Sequence, residues 1–212
     1  MTIKILIADD HPLVRSGICN ELIQCPEFEV VGEAQDGNET LQFVKQLQPD
    51  ILLLDARMPG MRPIRVLEKI KEEGWGCRVL VLTAYSDTPT VLGMLRGGAD
   101  GYLLKDEEPG TIEEAIHAVT KGETWLSPSI SRQITNLIKD GNNEFIGEQL
   151  TARENEVAAC IVDGFTNKQI SEKLEISERT AEFHVSNMIR KLGVKSRVDI
   201  AVFATEWRLG DE

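Results

Sequence analysis

The chain has no long hydrophobic run, no paired cysteine motif, few aromatic residues and no excess of positive charge. Each absence removes a class of protein. No segment approaches the twenty or so apolar residues that a membrane span needs. The amino terminus, MTIKILIADDHP, has a short apolar stretch broken by Lys4 and closed by two acids, unlike the apolar core of a secretory signal. A soluble, cytoplasmic protein with no membrane association is therefore expected. The four cysteines, Cys19, Cys25, Cys77 and Cys160, include no CxxC pair, and no histidine lies at metal-ligand spacing from any of them. Reduced structural thiols are expected, as in a reducing compartment. With a formal charge of −12, the chain cannot coat nucleic acid through its overall field. Any contact with DNA must be local.

What is present is order. Within 212 residues, enough for two small domains, four short apolar runs recur in the first part: Ile3 to Ala8, Ile51 to Leu54, Val79 to Leu82 and Tyr102 to Leu104. Their apolar residues are nearly continuous, which suits parallel strands covered on both faces. Glu29 to Ala34 is a weaker fifth strand. Helical segments lie between them, at Leu13 to Ile23, Asn38 to Leu47, Pro63 to Lys71, Thr90 to Arg96 and Ile112 to Val119, and Asp36 with Glu39 is a helix-start signal. Alternating strands and helices imply βαβ crossovers, and hence a doubly wound, five-stranded parallel α/β sheet. Function in such sheets gathers at the carboxyl ends of the strands. Asp9, Asp10, Asp55, Thr83 and Lys105 all fall there.

After Gly122 the pattern changes. Ser127, Pro128 and Ser129 precede an amphipathic stretch through Ile130, Ile134, Leu137 and Ile138, and the polar loop 140–144 follows. No strand signal returns. Thr151 with Glu154, and Thr166 with Gln169, are capping boxes that open two helices, and Ser177 caps a third whose stripe is Ala181, Val185, Met188, Ile189 and Leu192. Val198 to Ala204 is suited to a fourth.

Three carboxylates brought together need a cation. A hard, oxygen-ligated ion that retains water and shares phosphate oxygens is Mg²⁺. A lysine and a threonine hydroxyl beside them supply donors for phosphoryl oxygens, and an aspartate can act as nucleophile. The plainer alternative is that each strand-end aspartate caps the helix that follows.

The stretches ADDHPLVRSG, DILLLDARMPGM, VLVLTAYSD and GADGYLLKD make residues 1–121 resemble a response-regulator receiver domain. The resemblance implies a flavodoxin-like fold with Asp55 as the phosphorylated residue. It makes Asp9, Asp10, Asp55 and the main-chain carbonyl of Arg57 the Mg²⁺ ligands, Thr83 and Lys105 the phosphoryl-gripping pair, and Tyr102 the aromatic that turns inward on activation. Arg62-Pro63 stands where the family commonly has Asp-Gly, and Asp106 stands where it often has proline. Proline is tolerated in a first helical turn. Arg57 and Tyr85, two residues beyond Asp55 and Thr83, are candidates to gate water and set phosphate lifetime.

From Thr166 to Arg197 seven basic residues (Lys168, Lys173, Arg179, Arg190, Lys191, Lys195, Arg197) face four acids, against the acidity of the chain as a whole. A helical hairpin with mixed charge is also ordinary scaffold. The run LTARENEVAACIVDGFTNKQISEKLEISERTAEFHVSNMIRKLGVKSR, however, resembles the LuxR-type helix-turn-helix of the NarL/FixJ class. That resemblance implies a linker with one amphipathic helix over 122–146 and an all-α DNA-binding domain over 147–212. The recognition helix would run from about Glu178 to Leu192, with Lys168, Thr180, Glu182, Phe183, Ser186, Arg190, Lys191 and Lys195 as DNA-contact candidates. Glu182 departs from a position that is often basic in the family; it could accept from a cytosine amino group. Phe183 could meet a thymine methyl or pack inside the protein. His184 is read as a packing residue, and His117 as having no partner.

The expected function is phosphorylation-controlled, sequence-specific transcriptional regulation, with a sensor histidine kinase and double-stranded DNA as partners and a homodimer on phosphorylation or DNA binding. No enzyme activity is expected beyond the chain's own aspartyl phosphorylation and dephosphorylation. Small-molecule phosphatases with an aspartate nucleophile usually carry a second aspartate two residues later, and here that residue is Arg57. A protein-interaction module without DNA binding is the other alternative.

Overall fold

The computed structural model describes residues 2–108, 110–139, 150–192, 194 and 196–207, with the side chains of 137–139, 206 and 207 left aside. The chain divides into two compact units, Met1–Gln133 and Ile134–Glu212.

In the first unit, strands β1 (Ile3–Ala8), β2 (Phe28–Ala34), β3 (Ile51–Leu54), β4 (Arg78–Thr83), β5 (Gly101–Leu104) and β6 (Trp125–Leu126) form one sheet in the order β2-β1-β3-β4-β5-β6. Every neighbouring pair is parallel. The helices between them are α1 (Pro12–Ile23), α2 (Gly37–Leu47), α3 (Pro63–Glu72), α4 (Thr88–Arg96) and α5 (Thr111–Thr120). The sheet therefore has six strands rather than the five expected. Trp125 and Leu126, assigned to the linker on sequence, pair with Gly101 and Tyr102, and Ser127 N–H donates to the Tyr102 carbonyl at 3.0 Å. Two residues are too few for a periodic signal, but the open edge of β5 offers hydrogen-bonding groups that need partners.

Alternate strand residues share a face. Ile5, Ile7, Ile51, Leu53, Leu80, Leu82 and Leu103 pack with Ile18 and Leu22 of α1 and Ala115, Ile116 and Val119 of α5. The intervening Leu6, Leu52, Leu54, Val79, Val81 and Tyr102 are equally buried, which is why the strands read as continuous apolar runs. Burying each large aliphatic side chain contributes roughly 1.5–3 kcal/mol, so this two-sided core sets the strand register.

Local signals place the helix starts. Asp36 Oδ1 accepts from the amides of Asn38 and Glu39, while the Glu39 carboxylate reaches the amide of Gln35, one residue before the cap. Pro63 opens α3 in the first-turn position that tolerates it. Gly37 permits a close approach: a Cβ there would lie 1.7 Å from the Met61 carbonyl oxygen, and its N–H donates to the Pro59 carbonyl at 3.0 Å. That contact holds the loop after β3 against α2.

A helix α6 (Pro128–Lys139) follows β6 and crosses the division between the units. The loop after it, and the polar run 140–144 noted above, lie outside the described residues. The second unit then holds α7 (Ala152–Val162), α8 (Asn167–Lys173), α9 (Glu178–Leu192) and α10 (Arg197–Trp207). Both capping boxes form as their sequences indicate. The core consists of Val157, Ala158, Cys160, Ile161, Ile170, Ala181, Val185, Met188, Leu192, Ile200 and Ala204. Among the described residues no helix is long and apolar enough to cross a membrane.

Candidate functional site

The pocket forms because parallel strands end together and their hydrogen-bond ladders run one residue further. Asp9 N–H donates to the Ala34 carbonyl (3.0 Å), Asp55 N–H to Ala8 (2.9 Å) and Lys105 N–H to Thr83 (2.9 Å). Backbone pairing thus aims Asp9, Asp55 and Lys105 from the ends of β1, β3 and β5 toward one point.

There Lys105 Nζ lies 2.6 Å from both Asp9 Oδ2 and Asp55 Oδ2. Asp9 and Asp55 are buried, at 2% and 3% exposure. Desolvation alone would lower the lysine pKa, but hydrogen bonds and charge from Asp55 and Asp9 outweigh it and hold the ammonium above its ordinary value. Asp10 is at the mouth, with Oδ1 2.7 Å from His11 Nδ1. That oxygen is buried yet accepts no hydrogen bond of good geometry. An oxygen cluster from Asp9, Asp10 and Asp55 with one under-used buried lone pair suits a hard divalent cation. His11 is 68% exposed and sets its imidazole beside Asp10 at the rim.

Thr83, fully buried at the end of β4, accepts from the Tyr85 amide through Oγ1 at 3.3 Å. Its hydroxyl hydrogen remains available for another acceptor. Tyr102 is fully buried, already facing inward, and its hydroxyl donates to the Tyr85 carbonyl at 2.6 Å. Burial and the charges of Asp87 and Asp55 push its pKa upward, so it serves as a donor. The Arg57 guanidinium lies over the Tyr85 ring, 3.8 Å from the centroid, and 4.0 Å from Asp87. Sequence singled out both residues, but the stack that joins them exists only in the fold. Asp87 also caps α4 by accepting from Thr90 N–H. Thr88 Oγ1, next in sequence, receives a bond from the Gln133 side-chain amide at 2.6 Å, so the first part of α6 is tied to the start of α4. No local pattern marks that bond.

In the second unit, α8 and α9 are joined by a tight turn in which Glu175 takes positive φ (53°). Ser177 Oγ accepts from Thr180 N–H and shares a hydrogen bond with the Thr180 hydroxyl, so Thr180 is engaged in the cap. Glu182, Ser186, Arg190 and Lys168 are exposed. Phe183 is 61% exposed and does not pack into the core, which settles one of its two alternatives. Lys191 does not share this surface. Its ammonium lies 3.0 Å from Glu154 Oε2, and its side chain is only 13% exposed. The pairing is explained by Glu154, which is 3% exposed at the third position of α7 and needs a cation as well as its capping bonds. Desolvation raises the Glu154 pKa, but bonds from Thr151 and Lys191 overcome it and hold the carboxyl below its ordinary value. Lys195 lies outside the described residues.

His117 has partners after all: Glu27 at 3.1 Å and Glu113 at 4.0 Å.

Comparison with known proteins accords with this geometry. Residues 5–117 match the response regulator receiver domain family, and residues 148–204 match the luxR family of bacterial regulatory proteins. The chain is 36% identical over 207 residues to the nitrate/nitrite response regulator protein NarL of Escherichia coli, covering 97% of this chain and 96% of the relative. It is 37% identical over 203 residues to the transcriptional regulatory protein LiaR of Bacillus subtilis, covering 95% and 96%. Among solved structures, RcsB of Salmonella enterica, bound to a promoter in the presence of the phosphomimetic BeF3−, is similar with TM-score 0.82 and 26% identity over 97% of this chain and 99% of that one.

Proposed function

The chain belongs to the NarL/FixJ class of response regulators, transcriptional regulators of two-component signalling, and from that premise we propose that Asp55 is the phosphoryl acceptor whose modification controls DNA binding. The observation that carries the assignment is the single ammonium of Lys105 set 2.6 Å from both Asp55 and Asp9. It marks the point where anionic oxygens converge.

The donor is a phosphohistidine of a sensor kinase. A carboxylate oxygen of Asp55 attacks phosphorus, the P–N bond breaks, and the imidazole leaves with its electron pair. Mg²⁺, held by Asp9, Asp10, Asp55 and the Arg57 carbonyl, would neutralise the carboxylates and the incoming phosphoryl charge. Lys105 exchanges its contact with the Asp55 carboxylate for a phosphoryl oxygen, and Thr83 donates its hydroxyl hydrogen to another. Drawing Thr83 toward the phosphoryl group loosens its bond to the Tyr85 amide. Tyr85 is also bound by the Tyr102 hydroxyl and covered by Arg57, so the β4–α4 loop responds as a unit. Through Asp87 and Thr88 that loop reaches Gln133 on the linker helix.

On this reading the receiver is residues 1–121, the linker 122–146, with its beginning added to the sheet as β6, and the DNA-binding domain 147–212. Glu182, Phe183, Ser186, Arg190 and Lys168 form the DNA-facing set, Thr180 supports the helix start, and Lys191 is reserved for Glu154. One recognition helix has a small footprint, so binding is by a homodimer on paired half-sites.

The test is labelling by acetyl phosphate or a cognate kinase, followed by selection of DNA from a random pool with and without phosphorylation. Asp55→Asn abolishes labelling, and phosphorylation changes the enriched DNA. Equal labelling of Asp55→Asn refutes the acceptor. No enriched sequence in either state favours a protein-interaction module.

A further inference from the structure

The receiver sheet carries a second group of ligating side chains at the end opposite the phosphorylation pocket. Phe28, the first residue of β2, pairs with Ile3 at the amino end of the sheet, and the turn leading into it contains Cys25 and Glu27. Helix α5 passes this turn with Glu113 and His117 four residues apart, and therefore on one face. His117 Nε2 lies 3.1 Å from Glu27 Oε1 and 4.0 Å from Glu113 Oε1. One ligand atom from each of the three residues lies within 4.8 Å of the others.

Two neighbours organise the cluster. The Phe28 ring lies against the imidazole, with centroids 5.3 Å apart, and fixes its plane. The Cys25 thiol donates to Glu113 Oε2 at 3.2 Å, occupying the oxygen of that carboxylate opposite the one nearest His117. That hydrogen bond orients the Glu113 carboxylate toward His117.

We propose that Glu27, Glu113 and His117 form a second metal site, selective for a zinc-class divalent ion, with water completing the coordination. One imidazole and two carboxylates from a helix and a facing turn are the donor set that Zn²⁺ accepts, with Cys25 holding Glu113 in place. Mg²⁺ has little use for the nitrogen and belongs among the three carboxylates of Asp9, Asp10 and Asp55, where His11 stands at the rim.

The experiment is calorimetric titration of the full chain with Zn²⁺ while millimolar Mg²⁺ occupies the carboxylate pocket. His117→Gln, Glu113→Gln and, as a control for that pocket, His11→Gln are compared after circular dichroism has verified folding. The expected result is one Zn²⁺ per chain, its affinity reduced about tenfold or more by either His117→Gln or Glu113→Gln and changed less than about twofold by His11→Gln. Cys25→Ser weakens binding by a smaller factor, and Co²⁺ in the same site shows no thiolate charge-transfer band. Equal affinity in the wild type and His117→Gln overturns the site. So does loss of the ion on His11→Gln alone, which would assign it to the phosphorylation pocket.

Discussion

Replacing Lys105 with methionine removes the ammonium that joins Asp9 and Asp55 while keeping most of the side chain's apolar length. In the wild type, the carboxylates of Asp9 and Asp55 touch that cation, and Asp10 clusters with them at the strand ends. The two it touches have side chains 2% and 4% exposed, and its own side chain is 17% exposed, so water screens little of the interaction. Breaking a buried pair by removing one partner typically costs about 3–5 kcal/mol, because the remaining charge is left uncompensated. Two buried carboxylates are left here, but the lysine that reached them is itself partly exposed, so its removal lets water in to hydrate them. The low end, about 3 kcal/mol, is therefore expected for Lys105→Met. Asp55→Asn is different in kind. It deletes one ion pair and one member of a repelling set, and Lys105 keeps Asp9, so the change should stay within about 1 kcal/mol. In calorimetry of the full chain in metal-free buffer, the receiver transition of Lys105→Met should fall by about 10 °C, and that of Asp55→Asn should hardly move. Adding Mg²⁺ should restore more stability to Lys105→Met than it adds to the wild type. If the two variants melted equally low, or if Mg²⁺ gave no larger gain to Lys105→Met, the charge accounting of the pocket would be refuted.

Removing the Arg57–Tyr85 stack with Arg57→Ala and Tyr85→Ala together should alter the autodephosphorylation rate by about tenfold, measured as loss of label from isolated phosphoprotein, on the reading that the stacked pair gates water at Asp55. An unchanged rate sinks the gating role. Gln133→Ala should leave labelling of Asp55 intact while reducing the difference in DNA affinity between the phosphorylated and resting chains, since it cuts the bond from α6 to Thr88; an undiminished difference in binding assays removes that link from the switch. The Glu154 carboxyl is held below its ordinary value in the fold, so its contribution is present above the unfolded glutamate range near about 4.3 and is lost as pH falls through the lowered folded value. Glu154→Gln should flatten that part of the stability-versus-pH curve of the DNA-binding unit, and an acid limb identical to wild type would contradict the assignment. Glu182→Lys should change the operator selected from a random pool if the residue reads bases, whereas a uniform gain across sequences would show phosphate contact alone.

Sequence by itself determined the elements whose causes are local. Near-continuous apolar runs marked four strands, capping boxes at Thr151 and Thr166 marked two helix starts, and strand-end polar residues singled out Asp9, Asp55, Thr83 and Lys105. These were legible because period, cap and strand end are written within a few neighbouring residues, and parallel strands necessarily finish at one edge. Tertiary structure alone decided what depends on distant partners. Trp125–Leu126 becomes a strand only because the edge of β5 is open. Lys191, indistinguishable in sequence from a DNA-contacting lysine, is claimed by a buried glutamate 37 residues away. Cys25 and Glu113, 88 residues apart, come together with Glu27 and His117 because the sheet brings the start of β2 beside α5. Side-chain partners across such distances are chosen by burial and charge compensation in the folded core, and no local pattern records that choice.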